Sequence, residues 1–263
     1  MGKLYVEVLY TILVGILTGF SAGMFGIGGA LLSTPLLHEL VGLPDLTALA
    51  TPLPATLPAA LSGSIIYFRE RLLRTEILKW VLISGLPCNI LGAWLVKSVS
   101  GSMMMILTGI FILYAAVLFL SRSMKGKRSG GGESTSKRKE EPEVFSPLLL
   151  LTIGGVAGFL SGFLAIGGGM VMVPAFVGLL RLPTKQALAT SLVCVAAFSI
   201  PGMITHHLNG FIDWKVAGIL CATVFPMSAL GARATTKLRS ETVELSFGVG
   251  MLIFAILFIL KNL

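Results

Sequence analysis

Runs of apolar residues divide the chain into ten segments, separated by short polar stretches and one long one. The first half gives segments at about 4–25, 30–42, 45–68, 75–97 and 102–121. The second gives about 145–165, 169–182, 184–207, 213–235 and 242–260. Crossing the hydrocarbon core of a bilayer takes about 20 helical residues. Four segments in each half reach that length. The second of each half, 30–42 and 169–182, does not, and each carries a central proline, Pro35 or Pro174. These two read as half-helices or as tilted, broken spans, and segments one and two of a half could together form a re-entrant hairpin. The stretch 122–144 is charged and rich in Gly and Ser, which predicts a flexible linker. It separates a first transmembrane repeat, 1–121, from a second, 145–263.

The two halves repeat one another. Residues 19–35 read GFSAGMFGIGGALLSTP and residues 158–174 read GFLSGFLAIGGGMVMVP, a shift of 158 − 19 = 139. The same shift places Leu43-Pro44 on Leu182-Pro183, the run Ala48 to Thr51 on Ala187 to Thr190, Pro87 on Pro226, and Gly109 on Gly248. No gap is needed. A duplicated apolar half, interrupted by Gly and Pro at matching positions, is the sequence signature of a secondary transporter.

Charge fixes the expected topology. The linker holds Arg122, Lys125, Lys127, Arg128, Lys137, Arg138 and Lys139, which places it in the cytoplasm. In the first half the loop after segment three carries Arg69, Arg71 and Arg74, while the loop after segment four carries only Lys97. In the second half the bias reverses. Lys215 stands alone after segment three, and Arg233, Lys237 and Arg239 follow segment four. Equivalent loops preferring opposite sides imply an odd number of crossings per half, and hence inverted repeats. Both termini then fall outside the cytoplasm. The overall composition agrees. The chain is 55% hydrophobic and 12% charged, against about 25% charged in a soluble domain. The net charge of +8 sits in loops and linker, where topology explains it, so nucleic acid is not an expected partner. The three cysteines, Cys88, Cys194 and Cys221, lie in apolar runs without CxxC spacing and read as buried thiols. The first apolar run contains Glu7 and recurs inside the second half, so it reads as structure rather than a cleaved signal.

Two glycine patterns stand out. Gly15, Gly19 and Gly23 lie four apart, as do Gly154, Gly158 and Gly162, which puts each set on one helix face where another backbone can approach closely. Next come Gly26, Gly28 and Gly29, and Gly167, Gly168 and Gly169. Serial glycines break a helix inside the membrane, and the exposed backbone groups must then line protein or a water-filled cavity. The segment that follows begins a new helix, whose free N–H groups and positive dipole end favour an anion. Thr51 and Thr190 close the matching ALAT runs, with Ser191 beside the second. Their hydroxyls suit a substrate oxygen or a bond back to their own helix. Asn89, mirrored by Ser228, and Gln186, mirrored by Thr47, are either packing hydrogen bonds or ligand contacts. His38, Glu39, Asp45, Lys79, His206 and His207 lie near segment ends, where snorkelling or interfacial placement explains most of them. No segment carries a mid-span carboxylate, so the sequence does not identify a coupling ion.

The paired glycine runs, each followed by a proline and an LP…ALAT block, resemble the TauE/SafE family of sulfite and sulfonate exporters across nearly the whole chain outside the linker. The resemblance implies an all-α, polytopic transporter of the plasma membrane that carries sulfur-containing anions such as sulfite or taurine-like compounds. It places the family's glycine motifs on Gly23, Gly26, Gly28 and Gly29, and on Gly162, Gly167, Gly168 and Gly169. The copies differ at Ala30, opposite Gly169, and at Ala165, opposite Gly26. The expected activity is alternating access, with an anion held by the glycine loops, Thr51, Thr190, Ser191, Asn89 and Gln186. The expected partners are a small sulfur anion and the lipid bilayer, with no cofactor, no metal and no enzymatic residues. The chain could act as a monomer or a homo-oligomer. The alternatives are an anion channel, and an intramembrane serine protease built on Ser161 and His206.

Overall fold

The computed structural model describes residues 2–25, 29–128, 145–237 and 252, and these are helical apart from short connections. The helices are α1 (Gly2–Phe25), α2 (Ala30–Leu36), α3 (Asp45–Ala50), α4 (Leu53–Arg69), α5 (Thr75–Leu95), α6 (Gly101–Arg128), α7 (Pro147–Phe163), α8 (Gly169–Gly178), α9 (Thr184–Leu208) and α10 (Trp214–Lys237). A π-helical turn, Leu37–Val41, extends α2, and a short 3-10 turn, Val96–Ser98, ends α5. The expected tenth segment, 242–260, lies outside the described residues apart from Leu252. Helix α6 runs on through Arg128, into the stretch expected to be linker.

Among the described residues, six helical stretches are long and apolar enough to cross a membrane: Tyr5–Phe25, Asp45–Arg69, Thr75–Ser98, Gly101–Leu118, Thr184–Leu208 and Trp214–Thr235. The short second segments are indeed short, Ala30–Val41 and Gly169–Gly178. One expectation fails on length. Segment one of the second half is a helix of only 17 residues. Proline at its start and the glycine break at its end bound it, and at 1.5 Å per residue it covers about 25 Å.

Packing exchanges elements between the halves. Helix α1 lies along α10, and α7 lies along α5, so segment one of each half sits on segment four of the other. The glycine faces make these seams. Gly15, Gly19 and Gly23 meet Thr223, Val224 and Ser228 in rising order, so α1 and α10 run parallel. Gly154, Gly158 and Gly162 meet Val81, Gly85 and Asn89 in the same way, so α7 and α5 run parallel. The equivalent third segments, α4 and α9, cross in opposite directions. Leu53 faces Gly202, Thr56 bonds Ser199, and Gly63 faces Leu192. The first and last of these contacts are images of one another under the 139-residue shift.

Candidate functional site

Each half breaks its chain at the glycine run, and the described parts of the two breaks match. In the second half α7 stops at Phe163, and Ala165, Gly167 and Gly168 take positive φ values of 53°, 77° and 76°. Gly168 then stands directly before α8. In the first half Gly29, φ 77°, stands in the same way before α2. Gly26 and Gly28 lie outside the described residues. A left-handed backbone is cheap only for glycine. Space adds a second constraint. A Cβ on Gly168 would lie 2.9 Å from the Ala157 carbonyl oxygen, and one on Gly29 would lie 2.9 Å from that of Thr18. Ala157 and Thr18 are equivalent positions. Leu164 to Gly169 are all buried, so the break sits inside the protein rather than on its surface.

A helix that stops leaves its last carbonyls without intrahelical donors. Equivalent side chains answer this in the two halves. The Tyr67 hydroxyl donates to the Gly23 carbonyl over 3.1 Å, and His206 Nε2 lies 2.9 Å from the Gly162 carbonyl. Both residues are 0% exposed. Interfacial placement, which explains most of the ionisable residues at segment ends, therefore does not explain His206, which is wedged under the end of α7.

Asn89 reaches the same helix from α5. It is buried, and its Nδ2 donates to the Gly158 carbonyl over 3.3 Å. Its Oδ1 has no partner and lies 3.3 Å from where a Cβ on Gly202 would be. Ser161 Oγ and His206 Nδ1 are likewise buried without partners. Ser161 lies next to Gly162 in the chain, and its Cβ is 3.2 Å from where a Cβ on Gly168 would be. The mirror positions around α1 are closed. Ser228 donates to the Ala59 carbonyl over 2.7 Å, Tyr67 is bonded as above, and Ala22 replaces the serine.

The two threonines are placed symmetrically. Thr51 Oγ1 accepts the Asp213 N–H over 3.1 Å, and Thr190 Oγ1 accepts the Arg74 N–H over 3.3 Å. These donors stand just before α10 and α5, so each hydroxyl ties one half to the start of a helix in the other. Each hydroxyl keeps its own proton to donate. Ser191 donates back to the Leu188 carbonyl over 2.9 Å. Gln186 Oε1 accepts from Arg74 Nε over 2.9 Å, away from the glycine break. The structure thus packs Asn89 on α7, beside Gly158 and Gly162, sets Gly168 against Ala157 and Ser161 of the same helix, and pairs Gln186 with Arg74. It adds Ser161 and His206, which the charge and span reading did not select as ligands. Their signal was in the repeat: the shift of 139 pairs a tyrosine with a histidine and an alanine with a serine.

The serine and histidine do not pair. The bond of His206 Nε2 goes to the Gly162 carbonyl and not to Ser161 Oγ. Of the three thiols, Cys194 is buried, whereas Cys88 and Cys221 are only half-buried, and all three are free. Among the described residues no group of three or more His, Cys, Asp or Glu is placed to hold a metal ion.

Comparison with known proteins agrees with this architecture. The family described as "Sulfite exporter TauE/SafE" matches residues 11–258. A protein of Bacillus subtilis named "Probable membrane transporter protein YunE" is 25% identical over 88% of this chain and 90% of its own length. A "Probable membrane transporter protein" of Haemophilus influenzae is 28% identical over 98% of this chain and 100% of its own. One from Xylella fastidiosa is 25% identical over 95% and 93%. No solved structure matches significantly. With a family match covering almost its whole length, the chain belongs to the TauE/SafE family of membrane transporters.

Proposed function

We propose that this transporter exports small sulfur-containing anions, such as sulfite or organosulfonates, by alternating access between two inverted repeats. The observation that carries this reading is the buried break between α7 and α8. Gly168 leads into α8 with left-handed backbone, and the first turn of that helix leaves N–H groups unbonded within the helix. An anion there gains the positive end of the dipole without needing a formal cation. The Ser161 hydroxyl stands next to it. The antiparallel crossing of α4 and α9 and the exchanged seams support the inverted-repeat reading. The short apolar seams offer the surfaces along which one repeat could rock against the other. In this reading the linker lies in the cytoplasm, both termini lie outside, and the membrane is the plasma membrane. Thr51 and Thr190 act as ties between the halves, with their free protons available to a passing oxyanion.

The test is a thermal-shift panel on the purified full-length chain with sulfite, sulfate, thiosulfate, methanesulfonate and simple carboxylates. A ligand at a hundred times its dissociation constant stabilises by about 2.7 kcal/mol. Sulfur oxyanions should raise the melting temperature. If carboxylates do so and no sulfur anion does, the assigned substrate class is wrong.

A further inference from the structure

We infer that His206 is a proton-binding group, and that the second half of this transporter takes up one proton together with each anion. The inference rests on the anion site proposed at the break between α7 and α8. It starts from the chemical difference between two equivalent cages. In the first, the polar side chains at the mirror positions are Ser228 and Tyr67, and each is bonded to a backbone carbonyl. At these mirror positions no polar side-chain atom is left over. In the second cage three atoms are left over: Asn89 Oδ1, Ser161 Oγ and His206 Nδ1. All three residues are at most 1% exposed. A structural role needs only what Tyr67 already supplies, a single donor to an orphan carbonyl.

Hydrogen-bond partners fix what these atoms offer. A carbonyl only accepts, so the bond to Gly162 puts a proton on His206 Nε2. In the neutral ring Nδ1 is then a bare acceptor. The bond from Asn89 Nδ2 to the Gly158 carbonyl leaves its Oδ1 as an acceptor too. Two buried acceptors and one hydroxyl do not suit an anion. They suit a hydrogen.

A proton from water added at Nδ1 changes the cage without breaking any other bond. The ring becomes a cation with a proton on each nitrogen. It stands at the C-terminal end of α7, where the helix dipole stabilises positive charge. An anion at the start of α8 lies across the break from it. Burying either charge alone is costly, whereas burying both together lets each offset the other. Anion and proton therefore bind cooperatively. The groups around His206 compete little. Asn89 from α5 and Ser161 and Gly162 from α7 are uncharged, as are Leu53 on α4, facing Gly202 one turn away, and Phe211, whose ring is 6.4 Å off. On its own helix, exposed His207 accepts from Trp214 Nε1. Beyond it, Asp213 Oδ1 is bonded to the N–H groups of Lys215 and Val216.

The experiment is calorimetric titration of the full-length protein with methanesulfonate, which does not itself titrate near neutrality. Titrations are run in phosphate and in Tris, whose different ionisation heats report protons taken up. The wild type should take up close to one proton per anion, and affinity should rise about tenfold for each unit of falling pH while the ring is neutral at the start. His206→Tyr copies the mirror residue, and His206→Gln keeps a donor for Gly162. Both should bind without proton uptake and with flat pH dependence, while His207→Gln should match the wild type. Binding by the wild type with no proton uptake would overturn the inference, as would uptake persisting in both His206 variants. Should no sulfur anion bind the folded protein, the substrate reading fails instead. Nitrogen NMR of the histidine rings then decides this point alone. A His206 Nδ1 that gains no proton across the pH range of the folded protein would overturn it.

Discussion

The seam between α5 and α7 can be tested with two glycines three residues apart on one helix. Gly158 is packed against backbone: a Cβ there would overlap the Gly85 carbonyl oxygen and lie 2.6 Å from its Cα. Gly155 is different, because a Cβ there would meet only Cys88 Sγ at 3.6 Å, an ordinary contact. Replacing either by alanine adds one methyl group and improves helix propensity by about 1 kcal/mol. At Gly158 the backbones would have to retreat by roughly 1 Å along the seam. Overpacking of this kind costs about 1–3 kcal/mol, and a rigid obstacle puts it at the upper end. Gly158→Ala should therefore be about 3 kcal/mol less stable than Gly155→Ala. At about 2–4 °C per kcal/mol for a chain of this size, the two melting temperatures in detergent should differ by about 6–12 °C. The mirror seam supplies an independent pair. Gly19 lies 2.8 Å from Val224 Cα by the same construction, while Gly218 on α10 has open space. If Gly158→Ala and Gly155→Ala melt together, close backbone contact is not what holds the exchanged halves, and the packing argument fails.

Three further outcomes follow from the same geometry. Thr51→Val and Thr190→Val each strand a backbone N–H at the start of a helix and should cost about 1–2 kcal/mol in thermal unfolding, while Thr→Ser at either site should retain most of the stability. Gly168→Ala and Gly29→Ala combine a left-handed backbone with a clash and should lose more stability than Gly42→Ala, whose φ is also 77° but whose Cβ would meet nothing within 4 Å; equal losses at the three sites would mean that space around the breaks is not limiting. Cysteine labelling on a thiol-free background should mark residue 130 from the cytoplasm and Met1 and Leu263 from outside, and a C-terminus reached only from the cytoplasm would exclude inverted repeats.

Much of the helix order was legible because membrane helices write themselves in apolar length, and their breaks in glycine and proline. The starts of α2, α8 and α9 fall where Ala30, Gly169 and Thr184 begin apolar runs. The shift of 139 did more than align sequence. It also relates contacts: Thr51 with Asp213 and Thr190 with Arg74, Gly19 with Val224 and Gly158 with Gly85, Gly63 with Leu192 and Gly202 with Leu53. What apolar periodicity does not encode is which half a helix faces. Nothing in the run 75–97 says that its glycines serve α7 rather than α4. For the same reason Gln186, a polar residue at a helix start, could not be told apart from a ligand until its partner Arg74 was known.

The site was less legible, because its information lies in departures from the repeat rather than in the repeat. Matched residues such as Gly29 and Gly168 build the scaffold twice, and a scaffold needs them twice. A substrate passes one path, so its chemistry has no need to be duplicated. The mismatches Ala22 against Ser161, Ser228 against Asn89 and Tyr67 against His206 all fall along α7, and in each pair only the member that packs there leaves a spare polar atom. In a water-poor interior a spare polar atom costs about 1–3 kcal/mol. Three such costs around α7, beside mirror positions at α1 that avoid them with the same backbone, are better explained by something that binds there than by packing.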